Sequence, residues 1–459
     1  MGVNRSIARL AAFFAACFVL LCARAVWLQA IAGPRLAADP RNPRVALAQR
    51  YRGSILARDG SVLARSTARG REYPLGPAAA HAVGYFSARY GSEGLEKLFD
   101  RELSPPLVTG DPEEQARALA GGSRAEPRGG DVVTTIDPAT QLALYDGLRA
   151  YPRAAGVVLD PRTGEVLALA SVPSFDPATI DDTFAQLAAS AQSPLLDRAT
   201  DGLYPPGSTF KIFTAAVGLD AAVVSASDTF VDDGSYAIGT FTVHDNEGEA
   251  TGTQTLAGAF ALSSNVDFAQ IALRIGVERW FDYASRWGLG GPFYFTLPVT
   301  RDHLPERAEV TPGVLAQLGF GQADLAVTPM RMALIGATIA AGGTEPRPYL
   351  VRSAGSRAVA KPGVLAQPIA AETAHEVRDF MVRVVQSGTG TAAALAGAEV
   401  AGKTGTATNP AGRSHAWFVA FAPATAPRVA LAIVVENAGY GGVVSAPIAR
   451  RVLRAALAR

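Results

Sequence analysis

A serine stands three residues ahead of a lysine in Pro206-Gly207-Ser208-Thr209-Phe210-Lys211. Pro205-Pro206-Gly207 cannot continue regular structure, and apolar Phe210, Ile212, Phe213 and Val217 follow, so Ser208 is expected in the first turn of a helix over 208–223. Lys211 is then one turn along on the same face. A neutral amine so placed can take the hydroxyl proton as the oxygen attacks a carbonyl, and the positive helix end favours the alkoxide. The choice of lysine is informative. The chain holds 42 Lys+Arg, yet its lysines are Lys97, Lys211, Lys361 and Lys403 alone. Arginine stays protonated, whereas a desolvated lysine sheds its charge. A second of these amines opens Lys403-Thr404-Gly405-Thr406, after strand-like Val400-Ala401-Gly402. Alternation directs Lys403 and Gly405 to one face, where the ammonium could hold a carboxylate and Gly405 leaves room for something flat against the backbone. Exposed N–H groups there could bond an extended peptide or an oxyanion. Ser263-Ser264-Asn265 falls on a tight connection between helix-like stretches 256–262 and 266–275. Taken singly, the three have plain readings: a Ser and a Lys sharing a surface helix face, a common turn, and an N-cap.

The positioning elements follow from pattern. From Leu10 to Ile31 the sequence is apolar except for Arg24 and Gln29, enough to span about 30 Å as a helix. Arg5 and Arg9 precede it, which keeps the N-terminus cytoplasmic and sends the rest outward. The competing reading is a signal peptide cleaved near Ala23-Arg24-Ala25. Gly33-Pro34 and Asp39-Pro40-Arg41-Asn42-Pro43 end the segment. Next, 54–57 and 61–64 flank Arg58-Asp59-Gly60 as a β-hairpin, 93–103 reads as helical, and 110–130 as a linker. The module boundary is set near Asp131. Beyond it a strand is expected at 132–136, a helix from Asp137-Pro138 to about Ala150, and a hairpin of 157–159 with 166–169. Further helices are expected at 266–276, 328–341 and 370–386, strands at 398–406, 417–422 and 429–435, and a terminal helix from Pro447. Strands at both ends enclosing helices imply a sheet whose first and last parts meet, an α+β fold.

Composition excludes several classes. At 459 residues and 49% hydrophobic content the chain buries one large core and a smaller module. A formal charge of +1 gives no electrostatic reason to expect nucleic acid. Both cysteines, Cys17 and Cys22, lie in the apolar segment, so no disulfide or thiol nucleophile is expected outside it. The five histidines are scattered singly, so neither metal nor cofactor is expected.

Ser-x-x-Lys, Ser-x-Asn and Lys-Thr-Gly in this order are the signature of active-site serine penicillin-recognising enzymes. The chain resembles a class B penicillin-binding protein of the penicillin-binding protein A type, over nearly its whole length. Asp39-Pro40-Arg41-Asn42, Arg52-Gly53-Ser54-Ile55, Thr134-Thr135-Ile136-Asp137, 160–166, 204–211, Gly319-Phe320-Gly321-Gln322 and Ala416-Trp417-Phe418 carry the likeness. The resemblance implies a β-lactamase/transpeptidase-like domain, an antiparallel sheet flanked by helices, over 131–459. Before it would come a cytoplasmic tail (1–9), a single-pass anchor in the bacterial cytoplasmic membrane (10–32), and a small β-rich pedestal module with its linker (33–130). It implies a D,D-transpeptidase that cross-links the stem peptides of peptidoglycan, releases terminal D-Ala and is acylated by β-lactams. Ser208 would be the nucleophile and Lys211 its base. Ser263 would relay a proton, assisted by Lys403, and Asn265 would bind the stem peptide. Thr404, Gly405 and Thr406 would contact substrate, and the N–H groups of Ser208 and Thr406 would form the oxyanion hole. A class A glycosyltransferase domain has no room, so glycan polymerisation would come from a SEDS-type membrane glycosyltransferase docked on the anchor and residues 45–103.

The alternatives are a D,D-carboxypeptidase, which differs in accepting water, and a β-lactam-binding sensor or scaffold without turnover. A β-lactamase needs a base for deacylating water, and Glu278 and Glu247 read as solvated instead. A Ser-His-Asp hydrolase is disfavoured because no Gly-x-Ser-x-Gly elbow occurs, and His415 is expected to satisfy a strand neighbour.

Overall fold

The computed structural model describes residues 2–32, 51–105, 128–245, 250–409 and 412–458. Outside them fall Gly33-Pro34, the Asp39-Pro40-Arg41-Asn42 segment, most of the expected linker over 110–130, and Glu247. Helix α1 (Gly2–Val26) continues as a short π-helical stretch to Ala32. Phe13, Phe14, Phe18, Leu20 and Leu21 all stand exposed on it. A helix apolar on every side calls for a nonpolar surround. Among the described residues it is the one helix long and apolar enough to cross a membrane.

The small module opens with the hairpin expected around Asp59-Gly60. Strands β1 (Ile55–Leu56) and β2 (Val62–Thr67) pair antiparallel, with Gly60 at φ +85° in the turn, and β3 (Gly70–Glu72) continues the edge. The helical stretch is two short pieces, α2 (Leu95–Leu98) and α3 (Asp100–Leu103), broken at Phe99. Glu96 on α2 is fully buried and receives Arg52 Nε at 2.7 Å and Arg71 Nε at 2.8 Å. A buried carboxylate needs such partners to stay charged. Strand β4 (Val132–Thr134), expected to reach Ile136 and open the second unit, joins this module instead, running parallel to β1. It ends early because the Ile136 N–H turns back to Thr134 Oγ1 at 3.2 Å.

Helix α4 (Pro138–Leu148) starts where Asp137 accepts the Thr140 N–H, as Asp-Pro implies. Strands β5 (Ala154–Leu159) and β6 (Val166–Val172) form the next hairpin. Helix α5 (Lys211–Asp220) follows, then four short strands, β7 (Thr229–Asp232), β8 (Ser235–Ile238), β9 (Phe241–His244) and β10 (Gly252–Thr255). They form two ribbons, β7 with β10 and β8 with β9, whose four-residue strands are too short to stand out as a pattern in the sequence. Helices α6 (Leu256–Leu262), α7 (Asn265–Ile275), α8 (Val277–Arg286) and α9 (Pro329–Ala340) precede β11 (Val351–Ala354) and β12 (Arg357–Ala358). The last two return to the small module, completing the order β12-β11-β4-β1-β2-β3. After α10 (Ala371–Ser387) come β13 (Ala401–Asn409), β14 (Gly412–Ala422), β15 (Val429–Val435) and α11 (Gly441–Leu457).

The large sheet has the order β13-β14-β15-β5-β6, antiparallel throughout. The last strand of the chain pairs with the first of this sheet, Ala432 opposite Val157, as the enclosing pattern required. Alternate residues face opposite ways. Val158, Phe418 and Ile433 pack with Leu144 and Leu148 of α4 and Val452 and Leu453 of α11. Val157, Val419 and Val434 belong to the other core, with Met332 of α9 and Met381 of α10. With both faces covered, β15 and β6 are buried at every position, without alternation, and only Ser171 among them is polar. Helix α11 does not begin at Pro447. It starts six residues sooner, because the glycine there permits contact with the sheet: a Cβ on Gly441 would lie 2.1 Å from Trp417 O.

Candidate active site

Ser208 lies in a 3-10 turn, Gly207–Phe210, and Lys211 is the first residue of α5. The expected placement in the first α-turn is corrected accordingly, and the helix begins later. In a 3-10 turn residues i and i+3 eclipse, so the serine and the lysine still share a side. Three contacts brace the turn. Gly207 N–H donates to Gly321 O at 2.9 Å, Trp417 Nε1 donates to Pro205 O at 3.0 Å, and Thr209 Oγ1 donates to Pro206 O at 2.6 Å. Gly321 stands at φ +76°, and a Cβ on it would meet Gly207 O at 2.2 Å. The Gly319-Phe320-Gly321-Gln322 segment therefore fits the serine turn only without a side chain.

Lys211 and Lys403 are both fully buried, whereas the Lys97 side chain is solvated and pairs with Glu93. The two buried amines converge on Ser263. Lys403 Nζ donates to Ser263 Oγ at 2.8 Å and to Thr404 O at 3.1 Å. Lys211 Nζ lies 3.3 Å from the same Oγ, donates to Asn265 Oδ1 at 2.9 Å, and reaches Ser263 O. Ser263 ends α6 in the left-handed region, φ +68°, which aims its hydroxyl between the amines. A non-glycine residue held there is strain of the kind that collects at functional sites. The Ser-x-x-Lys, Ser-x-Asn and Lys-Thr-Gly segments, far apart in sequence, thus meet in one buried network.

Electrostatics set the protonation. Burial pushes Lys211 down to about 7, while the charges of Asp245, Asp267 and Asp232 pull it back up. Burial, and then the charge of Lys211, drive Lys403 well below the ordinary lysine range. Two ammonium groups sharing one hydroxyl in a dry site repel, so the pair holds less than two protons near neutrality. The three aspartates are what sequence reasoning missed. Asp267 follows Asn265 by two residues, a visible signal, but Asp245 and Asp232 come from the unannounced ribbons.

The remaining expected residues divide. The register pairs Lys403 with Val419 and Gly405 with Trp417 on one face, Thr404 with Phe418 and Thr406 with Ala416 on the other. Thr404 Oγ1 lies 2.5 Å from Thr389 Oγ1. The space beside Gly405 is a correction. A Cβ there would meet Thr209 Cγ2 at 2.8 Å, Trp417 Cβ at 2.9 Å and Pro206 O at 3.1 Å, so the serine turn, not a ligand, fills it. Thr406 comes against the same turn: a Cβ on Gly207 would lie 2.9 Å from Thr406 O. Asn265, expected to hold a peptide, uses its amide within the protein, Oδ1 toward Lys211 and Nδ2 toward His244 O at 3.2 Å. Glu278 is solvated and paired with Arg307 at 2.6 Å, and His415 Nδ1 accepts the Asn437 N–H at 3.2 Å. Burial first of all lowers the pKa of His415, in keeping with a neutral acceptor.

Among the described residues no group of three or more His, Cys, Asp or Glu could hold a metal ion. Residues 154–454 match the family model of the penicillin binding protein transpeptidase domain, and residues 52–132 that of the penicillin binding protein A dimerisation domain. The chain is 36% identical to the peptidoglycan D,D-transpeptidase PbpA of Mycolicibacterium smegmatis over 99% of both chains. In structure it resembles penicillin-binding protein A from M. tuberculosis, solved as a ceftriaxone acyl-enzyme complex: TM-score 0.82, 33% identity, 90% of this chain and 100% of that one. The penicillin G acyl-enzyme complex of the same protein superposes with a TM-score of 0.80 at 33% identity, covering 89% and 100%.

Proposed function

We propose, from the premise that the chain belongs to the class B penicillin-binding proteins, that it is a peptidoglycan D,D-transpeptidase acting through an acyl-enzyme on Ser208. The observation that carries the residue roles is Ser263 Oγ lodged between two buried amines, 2.8 Å from Lys403 Nζ and 3.3 Å from Lys211 Nζ. Ser208 Oγ attacks the carbonyl carbon of the D-Ala-D-Ala bond, and its proton passes to neutral Lys211. Collapse of the tetrahedral intermediate breaks the C–N bond, and the departing D-Ala amine takes a proton through Ser263 with Lys403 behind it. An amine from a second stem peptide then displaces Ser208, which recovers its proton. The N–H groups of Ser208 and Thr406 hold the oxyanion, Thr404 and Thr406 receive the substrate carboxylate and backbone, and Asn265 turns the second N–H of its Nδ2 to the stem peptide while its Oδ1 stays on Lys211. A β-lactam enters by the same first step and stays, as in the ceftriaxone and penicillin G acyl-enzyme complexes of the M. tuberculosis relative.

Residues 10–32 would anchor the enzyme in the bacterial cytoplasmic membrane with residues 1–9 inside and the catalytic part, 131–459, outside; Arg5 and Arg9 ahead of the apolar run support that orientation. The pedestal, 33–130, together with the anchor would dock a SEDS-type glycosyltransferase that supplies the glycan. The residue assignment is tested by mass spectrometry after treatment with penicillin. The adduct is expected on the peptide carrying Ser208 and absent from folded Ser208→Ala, whereas an adduct on another residue refutes it.

A further inference from the structure

We propose that Asp245 is a positioning residue for acylation: it clamps the start of α7 so that Asn265 holds Lys211, and it supplies a tunable negative charge to that amine. The inference rests on the reading of Lys211 as the base. Asp245 directly follows β9, in a ribbon outside all three sequence motifs. Its Oδ1 accepts the Asn265 N–H and, at 3.3 Å, the Val266 N–H, the first two donors of an eleven-residue helix. Ser264 Oγ accepts the third such donor, Asp267 N–H, at 3.0 Å. These donors have no intrahelical partners, and a carboxylate there is further favoured by the helix dipole. The preceding residue completes the clamp, because His244 O accepts Asn265 Nδ2 at 3.2 Å. With its NH2 group so fixed, the side chain must turn Oδ1 toward Lys211 Nζ, 2.9 Å away. A neutral Lys211 then spends its two N–H bonds on Ser263 O and Asn265 Oδ1, which leaves its lone pair for an incoming proton.

The charges facing Lys211 come from four elements: Asp232 of β7, Asp245 after β9, Asp267 of α7 and Lys403 of β13. Asp232 accepts the Gly234 N–H at 2.8 Å and the Thr251 hydroxyl at 2.7 Å, and its carboxyl also hydrogen-bonds that of Asp245. Burial first, and then the Asp232 and Asp245 charges, push Asp267 up to about 7, so it is partly neutral at working pH. Burial and the hydrogen bond with Asp232 also raise Asp245, to about 6, while the Asn265 N–H and the Lys211 charge pull it down, so it still carries charge where Lys211 titrates and loses it lower on the acidic limb. Of the three, Asp245 is the one that accepts the N–H of Asn265, whose side chain holds Lys211.

The test is the second-order rate of acylation by penicillin, followed from acid to alkaline pH in the full-length protein, for wild type, Asp245→Asn and Asp245→Ala. Asp245→Asn keeps an acceptor for the Asn265 N–H but removes the charge. Its plateau should stay near wild type, while the acidic limb moves about one unit or more to lower pH, because Lys211 without that neighbour loses its proton more readily. Asp245→Ala removes the clamp as well, and its plateau should fall about 10- to 100-fold. If Asp245→Asn leaves the limb in place, or Asp245→Ala folds and keeps the wild-type plateau, the proposal is overturned. Should the alanine variant not fold, the asparagine variant still decides. A wild type that forms no adduct on Ser208 would instead refute the underlying reading of the site.

Discussion

At the scale of the residue, the decisive property is that an amine in the protein interior gives up its proton. Lys211 is surrounded by acceptors, Ser263 O, Ser263 Oγ and Asn265 Oδ1, which an ammonium could also satisfy, so geometry alone does not set its charge. Burial does, by pushing it down to about 7 against three carboxylates. The sign for activity follows directly. A general base works when neutral, the neutral fraction of a lysine grows with pH, and acylation should therefore rise through the region near Lys211's own pKa. Lys211→Arg keeps the charge and most of the volume but cannot become neutral. Its acylation rate with a fluorescent penicillin should fall at least about 100-fold, the lower range of a general base's contribution, with no rising limb. A rate within a few-fold of wild type would contradict the role. This part of the site was legible in the sequence, because a chain that writes arginine nearly everywhere wrote lysine at 211 and 403. The aspartates that oppose the desolvation were not legible, since nothing local announces that Asp232 and Asp245 fold back onto α7.

Among the elements, glycines decide how closely the pieces approach. Gly207, Gly321, Gly405 and Gly441 each lie where a Cβ would fall within 3 Å of another segment's backbone or side chain. Together they let the serine turn, the Gly319–Gln322 loop, β13 and the start of α11 nest on one another. The sequence made Gly405 look like space for a ligand and gave no reading of Gly441, since the last helix is expected only from Pro447. Both are spaces that the protein itself fills, a distinction visible only once strand and turn are docked. Gly321→Ala should expose this most sharply, because its added carbon would sit 2.2 Å from Gly207 O in a left-handed conformation. Relief requires shifting the serine turn. A misplacement of about 1 Å can cost about 100-fold in rate, so acylation should drop by that order while the circular dichroism spectrum stays that of wild type. Unchanged acylation kinetics would show that the turn tolerates the displacement.

On the scale of the whole molecule, the two modules are not beads on a string. β4, β11 and β12 lie beyond Asp131 in sequence yet complete the sheet begun by β1, β2 and β3. Glu165 next to β6 takes Arg352 of β11 at 2.6 Å and Arg58 of the small module at 3.4 Å, tying both sheets together. The α+β architecture and the meeting of the outer strands followed from the order of strand and helix patterns. The shared sheet did not, because short strands such as Ile55–Leu56 and Arg357–Ala358 carry too little periodicity to reveal their partners. The common sheet ties the small module to the catalytic part by paired backbone as well as by these side chains. Whether the cleft passes its acyl group to an amine is settled by supplying the full-length enzyme with polymerised, lipid-linked glycan bearing pentapeptide stems and analysing the digested product. The account predicts cross-linked stem dimers with release of D-Ala, both lost in Ser208→Ala; trimmed stems without dimers, or no release at all, would contradict it.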